Sequence, residues 1–470
     1  MRPVWLLPTG RSTFVQEAGN ATLRGALDEL SGLGATIHGP DRLVEFAGEV
    51  PEDFAPAADG ISILLCATFA DASVAEAAFG RAPGPVLLWS VRDPAPTGER
   101  LYQNSLCGAN LAAHALVRRG VGVRLLHGDP GEPGVREALA GLLRDGLDPA
   151  PPAPRGPRGP MAGRARVVRA LDGLRGSVVG LVGETPLGFT TCEFDGDWLD
   201  SELGVEVHRL SLEDVFDRIR RVPVAEREGA VAAMVSVMPS TADLPVEQVE
   251  LCAATERALG AWVREEAAEA VALRCWPEFP LELGVCPCSA LGRLAERGTA
   301  TACEGDVLGA VTMLLAGYLG ARHNYLADVV RIDREANAAT FWHCGLAPRT
   351  LAPEGQEATQ DLHCNRGIGV AGNFPLRPGP VTILRLGLSA GRHRLFLTRG
   401  EALPGPNRFK GNSVDVRLCG DAEATVRTLI EEGFEHHTVL AWADVAPEVR
   451  TLAAVLGLEL IEIDDQGGQR

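Results

Sequence analysis

At 470 residues, 46% of them hydrophobic, the chain has room for about two to four globular domains of ordinary composition. Its 44 basic residues are set against 62 acidic ones, a net charge of −18 that repels phosphate backbones and argues against nucleic-acid binding. No apolar run reaches the length of a membrane span, and eleven scattered cysteines without a CxxC pair fit free thiols in a reducing cytoplasm better than a disulfide scaffold or a zinc finger.

The first element, PVWLLP at residues 3–8, reads as a buried strand and not as a signal peptide, because no small-residue cleavage site follows it. Residues 20–33 carry leucines at near-helical spacing. The apolar runs 61–69, 85–91 and 121–128 are of strand length, with helical patterns at 71–80 and 110–119 between them. Strands alternating with helices predict a parallel sheet covered on both faces, here an N-terminal α/β domain over residues 1–148. Residues 149–165 are so dense in proline and glycine that they predict a semi-rigid linker.

A second α/β pattern occupies 166–337. Its strands are expected at 176–183, 205–211 and 272–279, and long amphipathic stretches at 212–235 and 244–270. From 338 to 470 the pattern changes to short alternating runs, at 381–388, 393–400 and 413–420, which predict a β-rich, barrel-like domain. A helix at AEATVRTLIEEG, a strand at 436–443 and a terminal helix and strand complete the chain. The expected class is therefore α/β: two doubly wound parallel-sheet domains followed by a β-rich C-terminal domain.

Chemistry concentrates between Cys303 and Cys344. Glu304 stands at the start of an apolar helix, where free N–H groups favour an anion, yet Asp306 is better placed as the cap. That leaves Glu304 without a simple structural role. Asp328 lies in NYLADVVRI, where strand alternation puts Leu326, Asp328 and Val330 on one face. A carboxylate with such neighbours needs a cation. His343 follows two aromatic residues, where a histidine is more often a packed or hydrogen-bonded imidazole than a ligand. His436 and His437 enter an apolar strand, and alternation allows only one of them to face a given site. Arg11 after the first strand, and Trp276 and Glu278 at a strand end, are candidates for substrate contact. Carboxylates and imidazoles together suit a hard divalent ion.

The segments CEGDVLGAVTMLLAGYL, Asp328 at 24 positions after Glu304, WHCG, and EHHTVLAWADV resemble the L-fucose isomerase and L-arabinose isomerase family of metal-dependent sugar isomerases. The resemblance implies Mn²⁺ or another divalent cation held by Glu304, Asp328 and one of His436 and His437, preferably His437. His343 would be a further ligand, as in the arabinose branch. It also implies Glu304 and Asp328 as acid–base residues, an enediol proton transfer between C1 and C2 of a monosaccharide, and a cytoplasmic homo-oligomer, a trimer or hexamer. The same chemistry would serve a metal-dependent sugar or sugar-acid lyase or epimerase, and the fold could also persist in a non-catalytic sugar-binding descendant.

Overall fold

A computed structural model describes residues 2–464. Five parallel strands form the first sheet, in the order Ile37–His38, Val4–Thr9, Ile61–Cys66, Val86–Ser90, Val123–His127. Every residue of Ile61–Cys66 and Val86–Ser90 is buried, as expected of central strands covered by helices on both faces. The strand order reverses between Val4–Thr9 and Ile61–Cys66, so a crevice opens beyond their carboxyl ends, where Arg11 and Phe69 lie.

The second sheet is also parallel, in the order Glu206–Leu210, Val178–Val182, Ala270–Leu273, Ala300–Cys303. The stretch expected as one amphipathic element over 212–235 is two helices, Leu212–Arg220 and Val224–Val237. Pro223 between them cannot supply an N–H to a continuous helix. The strand expected at 272–279 runs from Ala270 to Leu273, and Arg274, Cys275 and Trp276 follow in the loop beyond its carboxyl end.

Six antiparallel strands close into a barrel. Going round the ring they are Asn324–Asp333, Ala338–His343, Asn412–Leu418, Arg392–Ala402, Gly379–Ser389 and His437–Ala441, the last pairing back with the first. Closure leaves no open edge within the ring. Phe374–Pro375 and Glu459–Ile463 add on outside it. The α/β class with a barrel-like third part is thus the observed architecture. The strand carrying Asp328 pairs with barrel strands on both sides and not with the central sheet. The proline-rich segment lies along the outside of the barrel, with Gly156 N–H donating to the Leu460 carbonyl at 2.8 Å and Ala162 N–H to that of Pro447 at 3.2 Å.

The helix Val307–Tyr318 joins these parts. Ten of its twelve residues are buried, because it packs against the central sheet on one side and against barrel strands on the other. A helix apolar all round is the form that such a position requires. No helix among the described residues is long and apolar enough to cross a membrane.

Two buried histidines make the assembly acid-sensitive. His127 pairs with Ser90 at 2.9 Å in the first sheet. His114 reaches Thr190 at 2.9 Å and the Leu388 carbonyl at 3.3 Å, touching all three parts of the chain. Burial pushes both imidazoles down to about 4. The unfolded chain takes up these protons near 6.5 and the folded chain only near 4, so stability is lost as pH falls through that window. Between pH 7.5 and 5.0 each should account for about 2 kcal/mol. Denaturant titration at the two pH values checks this: His127→Gln should lose about 2 kcal/mol less on acidification than the parent chain, and an equal loss would contradict it.

Candidate active site

Glu304 owes its position to backbone geometry. It sits in the two-residue turn between the strand Ala300–Cys303 and the helix Val307–Tyr318, with φ at +59° and Gly305 next to it at +73°. A glutamate in this left-handed region costs roughly 1–3 kcal/mol, a strain typical of residues aimed at a function. Asp306 caps the helix as expected, accepting the Gly309 N–H at 2.7 Å.

Asp328 and His437 face each other as register partners on adjacent barrel strands, and Asp328 is opposite Trp342 on its other side. A bulge between Val329 and Arg331 interrupts the alternation just beyond Asp328, so Val330 joins a separate cluster with Leu101, Trp342 and Phe409. His436 and His437 both reach the site, against the expectation that only one could. The regular strand begins at His437, so alternation does not yet apply to His436, and the two rings lie 3.8 Å apart. His436 Nε2 is 2.9 Å from Glu304 Oε2. His437 Nε2 is 3.7 Å from the same oxygen and 3.6 Å from Asp328 Oδ1.

Behind these groups lies a buried ionic network. His437 Nδ1 donates to Asp306 Oδ2 at 2.9 Å. Asp306 in turn takes a bidentate pair from Arg385, at 2.6 and 2.9 Å, and Arg385 Nε is 3.4 Å from Glu435. Burial would raise the Asp306 carboxyl, but Arg385 and His437 outweigh it and hold it well below the usual range. Asp306 therefore stays an acceptor, which puts the His437 proton on Nδ1 and turns the Nε2 lone pair toward Glu304 and Asp328. Burial and the neighbouring His436 keep His437 easy to deprotonate.

The other two rings carry different roles. His436 points Nε2 at a carboxylate and so donates to Glu304. The Cys344 backbone N–H donates to His343 Nδ1 at 2.8 Å. Cys344 Sγ also lies 3.1 Å from that nitrogen, but the N–H already occupies its lone pair, so the proton belongs on Nε2. The hydrogen-bond geometry thus makes His437 an electron-pair donor toward Glu304 and Asp328, and His343 a proton donor to the cavity.

These donors suit a divalent ion. Asp328 Oδ1 and His437 Nε2 are buried without any hydrogen-bond partner, a condition native proteins avoid unless something else satisfies the atom. His437 Nε2 lies 3.6 Å from Asp328 Oδ1 and 3.7 Å from Glu304 Oε2, close enough for one small cation to join it to either carboxylate. Cys107 and Cys192 also adjoin the cluster. Burial, reinforced by the carboxylate charges, pushes both thiols far up, so hard oxygen and nitrogen donors dominate. Burial likewise raises the Asp328 carboxyl to about 6, against the pull of His437 and His343. Glu304 goes the other way: burial is overcome by the His436 hydrogen bond and the surrounding imidazoles, and its carboxyl is lowered.

Glu304, Asp328, His343, His436, Arg11 and Trp276 line one cavity, to which all three parts of the chain contribute. Arg11 lies 4.2 Å above the Trp276 ring. Glu278 does not join them, because its carboxylate is held by Arg274, with Nε at 2.9 Å. Sequence reasoning passed over Arg385, although a lone charge in the apolar run VTILRLGL is the same signal that marked Asp328. It also passed over Arg366, which sits in an irregular glycine-containing loop.

No protein-family model matches the chain. It is 33% identical to a sulfoquinovose isomerase of Alkalicoccus urumqiensis, over 99% of this chain and the whole of that protein. It is 31% identical to the sulfoquinovose isomerase of Priestia megaterium, over 97% of this chain and 98% of the relative. A third, from Clostridium sp., is 30% identical over 96% and 97%. The chain belongs to the sulfoquinovose isomerase family. It is accordingly an enzyme, an isomerase acting on sugars, and the non-catalytic alternative falls away.

Within this family member the buried network has a measurable cost of removal. Arg385→Met leaves Asp306 and Glu435 buried without their cation and should destabilise the fold by about 3–5 kcal/mol in denaturant titration. A loss below about 1 kcal/mol would mean that water or rearrangement replaces the guanidinium.

Proposed function

We propose that the chain is a divalent-metal-dependent aldose–ketose isomerase, working through an enediol in the manner of the L-fucose and L-arabinose isomerases, on sulfoquinovose or a close relative. The relatives' shared name supports the substrate. The observation that carries the chemistry is the approach of His437 Nε2 to both Glu304 and Asp328 Oδ1, with His437 Nε2 and Asp328 Oδ1 buried and unsatisfied. Those three residues would hold the ion. When bound, a hard cation such as Mn²⁺ supplies charge stabilisation for the two substrate oxygens at the reacting carbons.

The chain's own residues handle the protons. Glu304, kept ionised by its imidazole neighbours, takes the proton from C2 and returns it to C1. Asp328 gives a proton to O1 and takes one from O2. The two exchanges balance, and each carboxyl ends as it began. His436 holds the Glu304 oxygen in place, and His343 Nε2–H is left to donate to a substrate oxygen. Asp306 positions His437 from behind.

Two outcomes are expected. In deuterated water, NMR should show solvent deuterium entering at C1 or C2 of the product without carbon–carbon cleavage. This exchange should vanish on chelation, return with Mn²⁺, and fall about 10²–10⁴-fold in Glu304→Gln. Cleavage fragments would favour the lyase, and full activity after exhaustive chelation would refute the metal role. Asp306→Asn, which loses the charge that fixes the His437 tautomer, should weaken Mn²⁺ binding about 10- to 100-fold in calorimetry; unchanged affinity would remove Asp306 from the account.

A further inference from the structure

The cavity also holds a pair of arginines that the proton chemistry does not use. Arg11 and Arg366 both lie against the Trp276 indole there, with guanidinium carbons 4.2 and 5.8 Å from the ring centre. Both line the same cavity as Glu304 and Asp328. The Arg11 side chain is 12% exposed and is paired with Asp71 at 3.3 Å. Asp71 is itself committed, since it caps the helix Ala72–Phe79 by accepting the Ser73 N–H at 3.0 Å. Glu45, the next nearest carboxylate to Arg11, takes the Ser12 hydroxyl at 2.8 Å. Arg366 has no ion-pair or hydrogen-bond partner for its guanidinium among the described residues. Burial lowers the Arg11 pKa, and the like charge of Arg366 adds to that, against Asp71, Glu45 and Glu304.

The loop that presents Arg366 is built and not loose. Its Arg366 and Gly367 N–H groups donate to the His363 carbonyl at 3.2 and 2.8 Å, and Asn365 N–H donates to His363 Nδ1 at 3.2 Å. Arg100 reaches both Asn365 Oδ1 and the Thr13 carbonyl, tying this loop to the one after Arg11. Gly369, with φ at +71°, passes so close to the Cys286 backbone that a side chain would collide with it. Two guanidiniums and one committed carboxylate leave a single positive charge, backed by an aromatic wall. Such a place suits one tetrahedral, singly charged oxyanion, which planar guanidinium groups bind with paired hydrogen bonds.

We propose that Arg11 and Arg366 form the subsite for the anionic terminus of the substrate, a sulfonate. The assignment rests on the isomerase reading above. It makes Arg366 the specificity-determining residue, because it alone of the pair has no protein partner to lose. A sugar without the anion leaves that charge facing the cavity without a partner. A phosphate brings a second negative charge that the subsite does not match.

The test is the ratio of kcat/KM for sulfoquinovose to that for 6-deoxyglucose, which has hydrogen in place of the sulfonate, measured on the full metal-loaded chain. Arg366→Gln should lower this ratio about 10- to 100-fold, chiefly through KM. Arg417→Gln, the same charge change at an exposed barrel position, should leave the ratio as it was. An unchanged ratio in Arg366→Gln, or an equal fall in both variants, would overturn the subsite. Glucose 6-phosphate turned over as well as sulfoquinovose would also overturn it, in favour of a general anion clamp. Calorimetry with the sulfonated alditol, which has no carbonyl to isomerise, separates the two claims. Arg366-dependent binding in a chain that isomerises no sugar would sink the proposed function and keep the subsite. Isomerisation with Arg366-independent binding would do the reverse.

Discussion

The arrangement depends on the bidentate pair between Asp306 and Arg385, with Glu435 on the far side of the guanidinium. Asp306 begins the helix that packs between the central sheet and the barrel, whereas Arg385 belongs to a barrel strand. The pair therefore joins two parts of the fold at the point where the chemistry sits. Burying two acids and one base is not a cheap way to gain stability, and apolar side chains of similar volume would serve as well or better. What such side chains could not do is hold an ionised acceptor against His437 Nδ1. The cost of the network makes sense as the cost of directing one imidazole.

A single lone pair follows from that. With Nδ1 committed, His437 can only present Nε2 to Glu304 and Asp328. The strained turn at Glu304 and the bulge after Asp328 serve the same end from two other directions. Each departs from regular backbone geometry at the point where a side chain must be aimed. Three imidazoles crowd the site, and their partners separate them: His437 gives an electron pair, His436 steadies Glu304, and His343 offers a proton. Arg11 and Arg366 line the same cavity and bring positive charge to it.

Much of this was legible in the sequence. Apolar runs of strand length alternating with helical patterns marked both parallel sheets, and Asp306 could be seen as the cap. Glu304 and Asp328 stood out because each lacked a plain structural role, and both line the cavity. The failures have local physical causes. Alternation could not place His436, because the strand starts one residue later. Glu278 was drawn to the site by its strand-end position, but Arg274, four residues earlier, captures it. The strand Asn324–Asp333 looked like the close of the central domain because helix and strand were adjacent in sequence, yet its partners come from residues 338–343 and 437–441. Arg385 carried a readable signal, a charge among aliphatic neighbours, whose partner lay 79 positions away. Arg366 carried none, since an arginine in an irregular loop is most often solvated.

The central claim is the identity of the three atoms that hold the ion. Crystals grown with Mn²⁺ and measured on either side of the manganese absorption edge would locate the ion directly. One strong anomalous peak is expected within bonding distance of Glu304, Asp328 Oδ1 and His437 Nε2, with Asp306 still bonded to His437 Nδ1. A peak bound through His436 or His343 in place of His437, or no peak between Glu304 and Asp328, would contradict it.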